Sequence, residues 1–98
     1  SFAIKFVRKN GDIALCIKPW FDRKNVELNT KKNGQWMKQQ LITSSPFRRN
    51  VRFEVAVANE ANGFQIFVNG SHFTTYEHRM CPYDISVVDI AQVLDLDV

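Results

Sequence analysis

The side chains in this chain that could carry catalytic or metal chemistry are few, and their spacing assembles no constellation. His72 and His78 stand six residues apart, without the i, i+4 pairing of a helical zinc motif and without a serine or cysteine nucleophile motif nearby. Cys16 and Cys81 form no CxxC pair, so neither a disulfide framework nor a metal site is signalled, and both read as buried thiols. Asp84, Asp89, Asp95 and Asp97 lie scattered among apolar residues without calcium-loop spacing and read as a solvated face. Arg23 with Lys24, Lys31 with Lys32 and Arg48 with Arg49 are small basic clusters that suit phosphate or sulfate weakly and read as ordinary surface. Together these features exclude an enzyme, and they call for no cofactor.

Charge and hydropathy exclude further classes. A net charge of +3, from 13 basic and 10 acidic residues, is too mild for a polyanion binder, and aromatics are not interleaved with a continuous basic strip, so no nucleic-acid partner is expected. No run of 18 apolar residues occurs, and Ser1 to Arg8 alternates instead of forming a leader, so no membrane insertion is expected.

Any remaining function must be a binding surface, positioned by the elements that the chain can form. Ninety-eight residues, 45% hydrophobic and 23% charged, fit one domain spanning 1–98. Each of the four glycines, Gly11, Gly34, Gly63 and Gly70, follows an asparagine. Asn-Gly suits the type I′ turn, whose two central residues both need positive φ, so four hairpins are expected. The flanks alternate as half-buried strands do: Phe2, Ile4 and Phe6 before the first turn, Ile13, Leu15 and Ile17 after it. Val26 and Leu28 lead to the second turn, and Gln35 to Leu41 returns from it. Val51, Phe53, Val55 and Val57 read as the clearest strand, followed by a meander through Phe64 to Val68 and Ser71 to Glu77. Beyond Pro82, a brief helical turn at Tyr83 to Ser86 and two strands between Asp84 and Val98 complete the reading. Asn69-Gly70-Ser71 fits a glycosylation acceptor, but the turn accounts for it. Many short strands with no helical period imply an all-β sandwich or barrel.

Several ordered motifs carry a family resemblance. Gly11 to Phe21 (GDIALCIKPWF), Val26 to Thr30 (VELNT), Asn33 to Trp36 (NGQW), Pro46-Phe47 with Val51 to Val57, and Phe64 to Arg79 (FQIFVNGSHFTTYEHR) resemble, in order, the segments of the galectins. The resemblance implies an antiparallel β-sandwich, a galectin-like jelly roll lacking its N-terminal strands, with Asn50 where the family has glycine. It also implies a glycan or glycoprotein partner and a cytoplasmic location, or an extracellular one reached by unconventional secretion. His72 and His78 fall outside the family's sugar site.

By the same resemblance, Trp36 matches the stacking tryptophan and Asn29 the asparagine that bonds the galactose carbon-6 hydroxyl. The other positions depart from the pattern. The family's His, Asn and Arg fall on Cys16, Lys18 and Trp20, and its Glu and Arg after the tryptophan fall on Gln39 and Leu41. The carbohydrate-binding residues expected here are therefore Asn29, Trp36, Lys18, Trp20 and Gln39, holding a glycan other than simple lactose. Trp20 serves either as a second sugar-facing ring or as filling for the emptied pocket. The alternative is a galectin fold that has lost sugar binding and works through protein contacts, including a homodimer through its outer strands.

Overall fold

Alternation with period two decides which side of each strand is buried, and the computed structural model, which describes residues 2–80, shows the two sheets that this alternation builds. In the first, β1 (Ile4–Val7), β2 (Ile13–Trp20), β3 (Asn25–Lys32) and β4 (Gln35–Trp36) lie side by side in that order, all antiparallel, and β5 (Gln40–Ile42) pairs with β3 farther along. In the second, β6 (Val55–Glu60), β7 (Gly63–Val68) and β8 (Ser71–Glu77) form a meander. Among the described residues there is no helix. Ile4, Phe6, Leu15, Ile17, Val26 and Leu28 of the first sheet meet Phe64, Ile66, Val68 and Tyr76 of the second in one core, which makes the fold an antiparallel β-sandwich. Each such side chain contributes about 1.5–3 kcal/mol on burial. Phenyl rings close one end, where Phe2 stacks on Phe53 at 4.8 Å and Phe47 meets the two of them edge-on at 5.6 and 5.0 Å.

All four Asn-Gly pairs mark strand reversals, but only two have the φ values of a type I′ turn: Asn33 and Gly34 at 53° and 78°, Asn69 and Gly70 at 52° and 82°. In the first hairpin Gly11 alone is left-handed (φ 92°), and its N–H donates to the Arg8 carbonyl at 3.0 Å, a loop that ends in a glycine bulge. Gly63 is required for another reason. It lies within β7 without positive φ, and a Cβ there would stand 2.7 Å from the Tyr76 carbonyl oxygen. Asn50 takes the left-handed conformation, φ 59°, at the position where the family pattern has glycine.

The strand expected from Val51 begins only at Val55, and Val51 is 53% exposed. The reason is the length of its neighbour: β7 ends at Val68, and Asn69 turns away. Past that point the Asn69 side chain, not a ladder partner, accepts the Glu54 N–H at 2.8 Å. Cys81, Pro82, the turn at Tyr83 to Ser86, the four aspartates and the last two expected strands lie outside the described residues.

One irregularity ties the two sheets together. Val7 and Phe6 of β1 face Ile13 and Leu15 of β2, while Lys31 and Asn29 of β3 face Ile13 and Cys16, so β2 carries one residue too many against both neighbours. Such a bulge leaves backbone groups outside the ladder. The carbonyl of buried Ala14 is satisfied by Thr30 Oγ1 at 2.9 Å. A hydroxyl has one proton, so the Tyr76 hydroxyl donates to Thr30 Oγ1, across 2.6 Å and between the sheets. The two partners are therefore not equivalent. Tyr76→Phe leaves Thr30 bonded to Ala14 and is expected to cost about 0.5–1.5 kcal/mol, whereas Thr30→Val strands two buried groups at roughly 1–3 kcal/mol each. Urea denaturation should show the larger loss of midpoint in Thr30→Val at unchanged slope; equal losses would contradict the donor assignment.

Candidate functional site

The side of the first sheet turned away from the core gathers the polar residues. Register sets Cys16, Lys18 and Trp20 of β2 directly opposite Asn29, Glu27 and Asn25 of β3, and all six share that face because Ile17, Val26, Leu28 and Thr30 take the buried one.

Trp36 and Gln39 reach the same face by a less regular route. Three residues apart, they would point to opposite sides of an unbroken strand. Lys31 pairs with Trp36, yet Leu28 pairs with Gln40, so Met37, Lys38 and Gln39 together oppose only Thr30 and Asn29. The extra residue is a second bulge, and it restores Gln39 and Leu41 to the polar side. This split replaces the single strand expected from Gln35 to Leu41. Asn29 holds the break: its Nδ2 donates to the Met37 carbonyl at 2.9 Å, while the Met37 N–H donates to the Thr30 carbonyl at 2.8 Å.

A cleft of about 370 Å³ results, lined by Cys16, Lys18, Glu27, Asn29, Trp36, Met37 and Gln39. The Trp36 ring is 47% exposed, with the Lys31 ammonium 5.4 Å from its centroid. An exposed indole beside polar groups offers an apolar platform with directional partners around it. Asn29, by contrast, is only 5% exposed. Its Oδ1 accepts the Thr30 N–H at 2.7 Å and an Arg79 N–H at 3.4 Å, so one amide N–H remains for the cleft. Arg79 also donates to the Lys38 carbonyl and lies over the Tyr76 ring at 4.9 Å, fastening the end of β8 to the bulge.

Of the residues expected from the sequence, Lys18, Asn29, Trp36 and Gln39 line one cleft, and Trp20 stands beside it. The Trp20 Nε1 donates to Glu27 Oε1 at 3.0 Å, and its ring is covered by Lys18 at 4.4 Å and Arg23 at 4.9 Å. Sequence reasoning missed Glu27 and Arg79. The register of the β2–β3 hairpin, with Glu27 opposite Lys18, could have found the first; the second comes from a distant strand and had no local signal. A larger cleft, about 500 Å³, lies by the β2–β3 turn between Lys24 and Arg48, but its aromatic floor, Phe21 and Phe47, packs in the core and Arg49 is paired with Asp22. Among the described residues no cluster of three His, Cys, Asp or Glu could hold a metal ion.

The family model for galactoside-binding lectins matches residues 1–98. A 32 kDa β-galactoside-binding lectin of Haemonchus contortus is 43% identical over 95 residues, covering 97% of this chain and 34% of that protein. Its counterpart in Caenorhabditis elegans is 35% identical over 95 residues, with the same coverage of 97% and 34%. The chain thus spans about a third of the length of these relatives. Among solved structures, a Caenorhabditis elegans galectin superposes with a TM-score of 0.78 at 26% identity, covering 86% of this chain and 59% of that one.

Burial pushes the Cys16 thiol above its ordinary value; Lys5 and Lys18 pull it partly back, and Glu27 adds to the rise. At neutral pH the cleft therefore presents a neutral thiol, a weak hydrogen-bonding group. Below the ordinary thiol value of 9.0 both the folded and the unfolded chain keep the proton; above it the unfolded chain ionises first, so stability falls as pH rises until the folded thiol ionises as well. In a Cys81→Ser background, native Cys16 is expected to react with a disulfide reagent at pH 8 at least about tenfold more slowly than in urea. The alkaline loss of stability should shrink in Cys16→Ala. Fast native labelling would show an activated thiolate instead.

Proposed function

Because the chain belongs to the galactoside-binding lectin family, we propose that the polar face of its five-stranded sheet binds a glycan with altered or weakened reading of galactose. The observation that carries this reading is the half-exposed Trp36 ring at the wall of a cleft that keeps Asn29 of the family pattern but has Cys16, Lys18 and Gln39 where the pattern has His, Asn and Glu. The apolar side of a sugar ring can stack on an indole whatever its hydroxyl stereochemistry, whereas selection of an axial hydroxyl needs partners aimed at it. Those partners are changed: a buried neutral thiol at Cys16, a donor without acceptor capacity at Lys18, and an indole at Trp20 whose N–H is already given to Glu27. Loss of the three partners, at about 0.5–1.5 kcal/mol for a neutral hydrogen bond and more for the charge-assisted one of the arginine, weakens a simple galactoside by roughly tenfold to a thousandfold or more.

A protein-contact role is the second reading, favoured by the exposure of Trp36, Met37 and Leu41 along β4 and β5. Grouped apolar side chains of that kind mark interaction surfaces, and a homodimer is one form that such contact would take.

Titration with neutral, extended and sulfated oligosaccharides separates the two. The expected result is binding of an oligosaccharide larger than lactose, abolished in Trp36→Ala, with no saturation by lactose at millimolar concentration. Tight lactose binding through Trp36 would refute the altered specificity, and silence across the whole panel would favour protein contact.

A further inference from the structure

The departures at positions 18, 20 and 39 look like three separate losses in the sequence, but the structure joins them. Resemblance to the family places a carboxylate at position 39 and guanidinium groups at 20 and 41, where this chain has Gln39, Trp20 and Leu41. A carboxylate nevertheless faces the cleft, from the neighbouring strand: Glu27, opposite Lys18 on one side and Leu41 on the other. Its Oε1 is held at 3.0 Å by the Nε1–H of Trp20, which stands where the pattern has arginine. Its Oε2 has no hydrogen bond from the described residues. Trp20 is fixed in turn, with Lys18 and Arg23 on its ring.

We infer that Glu27, oriented by Trp20, is the acceptor that reads glycan hydroxyls in this site, acting with Lys18 on a pair of adjacent hydroxyls of a neutral saccharide. Three physical arguments lead there. An ionised carboxylate only accepts and an ammonium only donates, so the cross-strand pair takes one hydroxyl as donor and its neighbour as acceptor. The partner on Oε1 is a neutral N–H, which orients the carboxylate without cancelling its charge, and hydrogen bonds to an ionised acceptor are about twice as strong as neutral ones. Finally, Leu41 across from Glu27 is apolar and offers no donor that would compete for the carboxylate. The same negative charge disfavours a sulfate or carboxylate placed beside it. Trp20 is a positioning residue in this arrangement, acting on the sugar through Glu27.

The inference rests on the glycan-binding reading, and its test keeps the two apart. The probe is the neutral panel oligosaccharide that wild type binds most tightly, together with its monodeoxy derivatives, measured by calorimetry against wild type, Glu27→Gln, Trp20→Phe and Trp36→Ala. Glu27→Gln keeps the shape of the side chain and is expected to lose about tenfold or more in affinity, the scale of a charge-assisted hydrogen bond, with Trp20→Phe losing roughly threefold to tenfold. One monodeoxy derivative should bind wild type about tenfold more weakly than its parent and bind Glu27→Gln as well as its parent does, a coupling that a merely structural role would not produce. If wild type binds, Trp36→Ala does not, and Glu27→Gln binds like wild type, the inference fails while the lectin reading stands. If wild type binds no glycan, both fall.

Discussion

A β-bulge in the middle of a sandwich leaves a carbonyl in the core, and the rest of this structure is arranged around satisfying it. The Ala14 carbonyl takes the Thr30 proton, Thr30 takes the Tyr76 proton, and the two sheets are thereby held in one relative position as well as by apolar burial. Hydrophobic contact is non-directional and would tolerate some sliding of one sheet over the other. A buried hydroxyl chain does not, because moving either sheet leaves polar groups unpaired at about 1–3 kcal/mol each. Burial accordingly pushes the Tyr76 phenol above its ordinary value, with the bond to Thr30 and the Arg79 charge offsetting part of the rise.

The same position sets the polar face of the first sheet. Thr30 faces inward, so Asn29 must face outward, and its side chain spans the second bulge to the Met37 carbonyl. Arg79 arrives from the end of β8 over Tyr76 and completes the coordination of Asn29. Core, inter-sheet link and cleft therefore share one chain of hydrogen bonds. Asn29 is in consequence chiefly an organiser of the β4–β5 break, with a single N–H left over for a ligand. The exposed ring of this face is Trp36, carried on the short strand before that break.

Electrostatics at the cleft follows from what replaced what. With a neutral thiol at Cys16 and neutral Gln39, the charged groups lining it are Lys18 and Glu27, placed face to face by register. Opposite charges across a non-core face stabilise the pair of strands modestly, and they leave a site that offers one strong donor and one strong acceptor.

Much of the fold was legible in the sequence because its signals are local. Apolar alternation marked the core faces of β2, β3 and β7, and Asn-Gly fell at all four reversals, although only Asn33-Gly34 and Asn69-Gly70 use positive φ at both residues. The family motifs added the face on which Trp36 and Asn29 stand. The sequence did not reveal the two bulges, because an extra residue is defined only against a partner strand. For that reason it could not tell how Trp36 and Gln39, joined in one site by the family resemblance, come to share a side, that Gly63 answers to the backbone of Tyr76, or that Val51 falls beyond the end of β7. Nor could it pair Trp20 with Glu27 or bring Arg79 to Asn29. Residue types and turn positions were set by the sequence alone; which polar groups meet depended on register and on the stacking of one sheet against the other, where a shift of one residue reverses every side chain.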